Sequence, residues 1–396
     1  MRNDQLLTRR SVLLGTAGAA GAGVIGSRWA GAQDATPLAT PIARTPLWQT
    51  AWEHGVVYGT SATTWQLDDA EYAALVAHEA GILFTEDDLL WWRLKPSPDA
   101  ELDFQYADRF IDFAEQNGQL VLGAHLVWDE GFGEGWTEDD IWGMDEETAR
   151  SLILGTVEEV VGRYRGRVAG WIVVNEIIDA HEEDGLRRDY PWYESIGPSF
   201  IEESFRAAHE ADPDATLVLN EFGFETDSEF DAAADRRANA LLVLDTLLEA
   251  DVPVQAFGVQ AHLAAADFAE NFDAEGYQQF LADLAERGMK ILITELDVLD
   301  DDLPAAIAER DSAIADATRL YLDTALQEPA VASVITFGLS DRYTWLQEDY
   351  PREDGEARRP LPFDDELQPK PMYDALLSAL AQAPLRDPLW QVPRAR

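Results

Sequence analysis

The chain has 396 residues, of which 46% are hydrophobic and 26% charged, so it is long enough to form one large folded domain. Its 75 acidic residues outnumber its 29 Lys and Arg residues and give a formal net charge of −46, which argues against binding to nucleic acid or anionic membranes. Because the chain has no cysteine, disulfides and thiolate chemistry are excluded. The six histidines show neither an HExxH motif nor paired-His spacing, so we expect no metal site.

The N-terminal segment has the features of an export signal. Arg9 and Arg10 precede a mildly apolar, Gly/Ala-rich run that ends in a small-residue cleavage pattern at residues 30–32. We therefore predict a twin-arginine signal peptide over residues 1–32 and a secreted protein. Residues 33–50 are rich in Pro, Thr and Ala without an apolar period, which predicts a flexible leader.

From residue 51 onwards, short apolar or β-branched runs alternate with longer segments of helical period. The eight predicted strands are Val56–Thr60, Ile82–Glu86, Leu120–Leu126, Gly170–Asn175, Thr216–Glu221, Ala256–His262, Lys290–Glu295 and Ser333–Gly338. This alternation favours a closed parallel barrel over an open doubly wound sheet. We predict a single-domain α/β fold, a (β/α)8 TIM barrel over residues 51–384, followed by a C-terminal tail over 385–396. No GxGxxG or Walker pattern follows the first strand, so the sequence gives no support to a nucleotide-binding fold.

Polar side chains stand at the ends of six successive predicted strands, where a (β/α)8 barrel has its active site. They are Glu86, His125, Asn175 and Glu176, Asn220 and Glu221, Gln260 and His262, and Glu295. Any one of them could be a solvated strand end or a helix cap. Six strands that present carboxylate, amide or imidazole groups to one rim indicate a site for a polar ligand.

Glu176 and Glu295 are the carboxylates best placed for acid–base chemistry, because they follow the fourth and seventh predicted strands, on opposite sides of a barrel. Retaining glycosidases need two carboxyl groups about 5–5.5 Å apart, one to attack the anomeric carbon and one to protonate the leaving oxygen. We therefore predict that this pair catalyses glycoside hydrolysis without a cofactor. His262 is expected to hold the rotamer of one of the two carboxylates, with a buried core histidine as the alternative.

Six short segments, in order between about Tyr58 and Leu380, indicate a resemblance to a known family. They are GAHLVW at 123–128, WIVVNEII at 171–178, LVLNEFG at 217–223, GVQAHL at 258–263, ITELDV at 293–298 and PLPFDDELQPKPMYDAL at 360–376. Together they resemble glycoside hydrolase family 10, the endo-β-1,4-xylanase family. The resemblance implies that Glu176 is the general acid/base and Glu295 the nucleophile. It also implies that the glycone side of the cleft is lined by His125, Trp128, Asn175, Gln260, His262 and Trp345, and Glu86 joins this substrate-binding group from its strand-end position.

Four positions depart from the family pattern. Leu90 stands at the usual glycone-binding Lys and Asp87 at the usual Asn, while Asp129 replaces a His and Phe337 a Trp. A site built to hydrogen-bond sugar hydroxyls loses about 1–3 kcal/mol for each missing partner. These departures predict weaker binding of xylan or a shifted sugar preference.

We therefore expect a retaining endo-β-1,4-xylanase that hydrolyses internal bonds of xylan. One alternative is a retaining β-glycosidase of altered sugar preference, which the four departures support. The other is a carbohydrate-binding barrel with little turnover, against which the presence of both glutamates argues. The expected partner is a xylan-like polysaccharide or oligosaccharide, with no nucleic acid and no membrane, and we expect a monomer.

Overall fold

The computed structural model describes residues 44–228 and 231–395. The predicted twin-arginine signal over residues 1–32 and the predicted leader up to residue 43 lie outside the described residues. Among the described residues, no helix combines the length and the apolar character needed to span a bilayer.

Eight parallel strands form a closed barrel, which confirms the predicted fold. The strands are β1 Val57–Ala62, β2 Ile82–Thr85, β3 Leu120–Gly123, β4 Gly170–Asn175, β5 Thr216–Glu221, β6 Ala256–Val259, β8 Lys290–Leu299 and β9 Val331–Thr336, with a short extra strand, β7 His262–Ala264. Each barrel strand pairs with its successor, and the ring closes where β9 pairs with β1. β6 pairs with β8, so β8 is the seventh strand of the barrel and β7 is an addition at its rim.

The sixth predicted strand, Ala256–His262, is interrupted in the structure. β6 ends at Val259, and Ala261 has a left-handed backbone with φ 63°. The turn allows His262 to start a new strand that pairs with Asp297 of β8. As a result, the imidazole of His262 is placed beside β8 instead of continuing the line of β6.

Helices fill the connections between the strands. They are α1 Leu47–Trp52, α2 Ala70–Glu79, α3 Trp91–Leu94, α4 Gln105–Gln116, α5 Glu138–Trp142, α6 Glu146–Arg163, α7 Pro191–Ile196, α8 Ser199–Ala211, α9 Ala233–Glu249, α10 Phe268–Asn271, α11 Ala274–Glu286, α12 Ile307–Ala325, α13 Leu346–Asp349 and α14 Pro371–Gln382. Several start where an aspartate caps the first turn: Asp69, Asp145 and Asp273 accept hydrogen bonds from free backbone N–H groups of α2, α6 and α11.

The interior of the barrel is filled by apolar side chains from all eight barrel strands. The cluster includes Val57, Ile82, Phe84, Leu122, Ile172, Val218, Ala256, Leu292 and Ile335. Gly123 is required for close packing, because a Cβ atom there would lie 2.3 Å from the buried ring of Trp171. The filled interior means that the barrel is a rigid support for side chains at its rim.

The folded unit begins earlier and ends later than the predicted boundaries at residues 51 and 384. Leu47 is fully buried in α1, and its backbone N–H donates a hydrogen bond to Glu79 (3.0 Å). Near the C-terminus, Trp390 and Val392 join the barrel cluster, and Trp390 Nε1 donates to Thr216 Oγ1 (3.0 Å) at the start of β5. The segment after α14 therefore closes the end of the barrel opposite the strand C-termini. The predicted C-terminal tail over residues 385–396 is thus part of the folded unit.

We expect the substitution Trp390→Ala to lower the free energy of unfolding by about 3–5 kcal/mol, because it removes a large buried side chain and leaves a cavity. Leu385→Ala, at a side chain that is 78% exposed, is the matched control in the same segment and should change stability little. Urea unfolding followed by circular dichroism measures both. Equal denaturation midpoints for the two variants would contradict the placement of Trp390.

Candidate active site

The ends of the strands bring one connected group of polar side chains together. Asn175 ends β4, Asn220 lies near the end of β5, Glu295 lies within β8, and His262 begins β7. These strands start from the packed interior of the barrel, so their backbones fix where each side chain points. The first three are buried and His262 is half-buried.

Glu295 is a buried carboxylate surrounded by donors. Asn220 Nδ2 donates to its Oε1 at 2.8 Å, and His262 Nε2 lies 3.3 Å from its Oε2. His125 Nε2 lies 3.6 Å from Oε1. Burial alone would raise the pKa of Glu295, but the interactions with His125 and His262 outweigh burial and hold this pKa well below its usual value. Glu295 is therefore ionised, as an attacking carboxylate must be.

His262 connects Glu295 to a second buried carboxylate. Its Nδ1 lies 2.9 Å from Oδ1 of Asp297, and Oδ2 of the same carboxylate accepts a hydrogen bond from Trp345 Nε1 at 2.8 Å. Burial would lower the pKa of His262, but Asp297 and Glu295 raise it to about 10. The imidazole is therefore a cation at neutral pH, and the indole ring of Trp345 lies against it with the ring centres 5.5 Å apart.

Glu176 is half-buried and has neutral donors on both carboxylate oxygens. Trp128 Nε1 donates to Oε2 at 3.1 Å, and Gln260 Nε2 donates to Oε1 at 2.9 Å. The backbone of Glu176 is left-handed, with φ 61°, and its N–H donates to the carbonyl oxygen of Asn220 (3.0 Å). The side chain thus leaves β4 in a direction that an ordinary extended residue would not give.

Asn175 and Asn220 link the two glutamates. Asn220 Nδ2 donates to Asn175 Oδ1 (2.8 Å) as well as to Glu295, and Gln260 Nε2 lies 3.4 Å from the same Asn175 oxygen. Thr294 Oγ1 donates to Asn220 Oδ1 (2.7 Å), which fixes the orientation of that amide. The site therefore holds one carboxylate beside imidazoles and one between neutral donors.

Of the sequence-predicted residues, the structure brings eight into this connected group: Glu176, Glu295, His125, Trp128, Asn175, Gln260, His262 and Trp345. Glu86 lies on the same rim, where its carboxylate accepts a hydrogen bond from Ser61 Oγ (2.8 Å) near the end of β1. The departures Leu90 and Phe337 are buried: Leu90 lies against Gly131, and Phe337 packs beside Phe84 and His262.

Several residues of the site were missing from the predicted set. Asp297 could have been found, because residues two apart in a strand point to the same face and Asp297 follows Glu295 at that spacing. Asn220 was noted as a strand end but was given no role. Arg187 and Tyr190, described below, lie in an irregular loop where no period marks them.

One group of carboxylates has a spacing that a metal ion could share. Among the described residues these are Asp364, Asp365 and Glu366, of which the last two are exposed. They lie in the connection between β9 and α14. An exposed acidic turn is common in a chain of this charge, so it gives no support to a metal centre.

The chain is similar to known proteins over nearly all of the described unit. The sequence profile of Glycosyl hydrolase family 10 matches residues 47–379. Endo-1,4-beta-xylanase B of Thermotoga neapolitana is 31% identical over 313 residues, which covers 79% of this chain and 84% of that protein. Endo-1,4-beta-xylanase 5 of Pyricularia oryzae is 30% identical over 348 residues, covering 86% and 80%.

Solved structures of xylanases are also similar to this chain over most of its length. Native xylanase 10B from Thermotoga maritima superposes with a TM-score of 0.74 at 29% identity, covering 85% of this chain and 98% of that one. Xylanase 10B from Thermotoga petrophila, solved in complex with xylobiose, has a TM-score of 0.74 at 28% identity, covering 86% and 98%.

We expect His262→Gln to flatten the pH dependence of stability above neutral pH. Because the pKa of His262 is raised from 6.5 to about 10, its bound proton stabilises the folded chain fully below pH 6.5, and this contribution is lost as the pH rises to about 10. The stability advantage of the wild type over the variant should therefore shrink by about 3–4 kcal/mol between about pH 7 and 10. Urea unfolding across this range measures it, and parallel curves would disprove the raised pKa.

Proposed function

The chain belongs to glycosyl hydrolase family 10, and on this premise we propose that it is an endo-β-1,4-xylanase that cleaves internal bonds of xylan with retention of configuration. The observation that carries the proposal is the contrast between the two glutamates. Glu295 is ionised beside His125 and His262, whereas both carboxylate oxygens of Glu176 accept from neutral donors. A retaining glycosidase needs a carboxylate that attacks and a carboxyl group that gives and then takes a proton.

The proposed reaction has two steps. In the first, a carboxylate oxygen of Glu295 bonds to the anomeric carbon while the bond to the leaving oxygen breaks and Glu176 gives that oxygen a proton. In the second, Glu176 takes a proton from water, whose oxygen attacks the anomeric carbon and releases Glu295. Two inversions give net retention. The reaction as written uses water and no cofactor.

The surrounding side chains support these roles. Asn220 and His262 hold the Glu295 carboxylate from two sides, and a fixed carboxylate loses little freedom on attack. Trp128 and Gln260 do the same for Glu176. We propose that the glycone side of the substrate is bound by the predicted residues His125, Trp128, Asn175, Gln260, His262 and Trp345, with Glu86 at the rim.

Neither alternative function is favoured, since the relatives and solved structures described above are named as xylanases. The departures still have a consequence. Leu90 and Phe337 fill space with apolar side chains and offer a sugar hydroxyl no hydrogen bond. We propose that they weaken the binding of xylan and leave the two-step reaction unchanged, because neither contacts Glu176 or Glu295 through a hydrogen bond that the reaction needs.

We expect Glu295→Gln to lower kcat on xylan by a factor of about 10³ or more, because an amide cannot attack the anomeric carbon. Binding of xylo-oligosaccharides, measured by calorimetry, should survive within about tenfold, since the shape of the side chain is kept. Glu286→Gln, on the exposed end of α11, is the matched control and should retain full release of reducing sugar. Xylan hydrolysis by Glu295→Gln within tenfold of the wild type would contradict the assignment.

The substrate and the stereochemistry are tested separately. Wild-type activity on xylan, measured beside cellulose and mixed-linkage glucan, should be highest on xylan. Proton NMR of the first product should show the β-anomer before mutarotation, because double displacement retains configuration. An α-anomer as first product would exclude double displacement with retention. Higher activity on a glucan would exclude xylan as the preferred substrate.

We also propose that residues 1–32 are a twin-arginine signal and that the mature protein is secreted as a monomer. The support is the Arg9-Arg10 pair before an apolar run and the small residues at 30–32. A reporter fused to residues 1–32 should be exported in a bacterial host that has the twin-arginine pathway, and Arg9→Lys with Arg10→Lys should block export. Unchanged export of the double variant would refute the signal.

Size-exclusion chromatography with light scattering tests whether the mature protein is a monomer.

A further inference from the structure

A short segment between β4 and the first turn of α7 contacts the backbone at the end of β4 and in the loop after β3. Three side chains of this clamp segment, residues 187–192, donate hydrogen bonds to carbonyl oxygens: Arg187 to Glu176 (3.2 Å), Tyr190 to Asn175 (2.8 Å) and Trp192 to Trp128 (2.9 Å). The carbonyls belong to Glu176 itself, to its neighbour and to one of its donors. The clamp segment therefore acts on the geometry of the acid/base glutamate without contacting its carboxylate.

The backbone of Glu176 needs such contacts because it is left-handed. A non-glycine residue in this conformation costs roughly 1–2 kcal/mol, so it persists only where the surroundings hold it. The N–H of Glu176 is bonded to Asn220, and the next two N–H groups are bonded to the buried carboxylate of Glu221. Arg187 completes this set by holding the carbonyl of Glu176.

Arg187 is itself held by Asp129. One guanidinium nitrogen pairs closely with Asp129 Oδ2, and the nitrogen that bonds Glu176 lies 3.5 Å from Asp129 Oδ1. The side chains of Arg187 and Asp129 are only 20% and 7% exposed, and the guanidinium lies over the ring of Tyr190. Removing one partner of a buried ion pair leaves the other charge buried and unpaired, which destabilises the fold locally. Asp129 follows Trp128 directly, so the pair ties the loop after β3 to the loop after β4.

The Arg187–Asp129 ion pair also places a second carboxylate, that of Asp129, near Glu176. Burial raises the pKa of Asp129 to about 6, Arg187 opposes this rise, and the charge of Glu176 adds to it. Below the site, Glu221 is paired with Arg236, and across it Glu295 is paired with His262. Asp129 is thus a carboxylate close enough to Glu176 to interact with it, at a position where the family resemblance leads one to expect a histidine.

We propose that Arg187 and Asp129 are positioning residues for the acid/base step: Arg187 holds the backbone carbonyl of Glu176, and Asp129 holds Arg187. The inference rests on the proposed function and adds that the two glutamates are held in position by different residues. Loss of the pair impairs protonation of the leaving oxygen by Glu176. Attack by Glu295, which is held by Asn220 and His262 on the other wall, continues.

Leaving-group dependence separates these two effects. Departure of 2,4-dinitrophenolate needs no proton, whereas departure of a sugar alkoxide from xylotetraose does. In Arg187→Met, kcat/KM should fall about 10- to 100-fold on xylotetraose and stay within about threefold on dinitrophenyl β-xylobioside, because kcat/KM reports the first step. Arg187→Lys, which keeps the charge, should recover part of the loss.

Two further variants sharpen the test. Arg188→Met is the matched control: Arg188 is the next residue, and its exposed side chain pairs with Asp184, so kcat/KM on both substrates should match the wild type. Asp129→Asn should show the same contrast between substrates.

Equal losses on both substrates in Arg187→Met would show that the pair serves general structure and would overturn the proposal, as would an unchanged rate on xylotetraose. If circular dichroism shows that Arg187→Met is unfolded, Asp129→Asn and Arg187→Lys decide by the same contrast. A wild type that turns over neither substrate would instead refute the proposed function, and this inference with it.

Discussion

Keeping a negative charge on Glu295 inside the barrel costs free energy, and the contacts with His262 and Asn220 offset that cost. His262 depends in turn on Asp297, which is fully buried and is also bonded to Trp345. One buried charge thus connects β8, β7 and the long connection after β9. Removing any member leaves its neighbours with an unpaired buried group, so the chain of contacts behaves as a unit.

The two glutamates differ in backbone as well as in electrostatics. Glu295 lies inside a long, regular strand and has imidazoles for neighbours. Glu176 lies just past the end of β4, in a left-handed conformation held by Asn220 of β5 and by Arg187 of the loop after β4. A strained backbone conformation at a functional residue persists only where rigid surroundings hold it in place. Here the barrel interior gives rigidity to one glutamate, and the loops give orientation to the other.

The sequence predicted those features that repeat or follow a local pattern. The eight strands were predicted because apolar runs alternate with helical periods, and the candidate site residues were predicted because polar residues end those runs. The clamp segment and the C-terminal closure were not found, because they depend on contacts between distant residues. Arg187 and Asp129 are 58 positions apart, and Trp390 and Thr216 are 174 apart. The turn at Ala261 was missed because alanine gives no signal for a left-handed backbone.

The closure of the barrel by Trp390 bears on how the protein is made. The first and last barrel strands are hydrogen-bonded to each other, and the tryptophan that covers the opposite end of the barrel follows the last barrel strand in the sequence. Until the segment after α14 has emerged from the ribosome, that tryptophan cannot pack against β5. Earlier βα units can associate during synthesis, but the barrel acquires its final core only after the segment that follows α14 has been made.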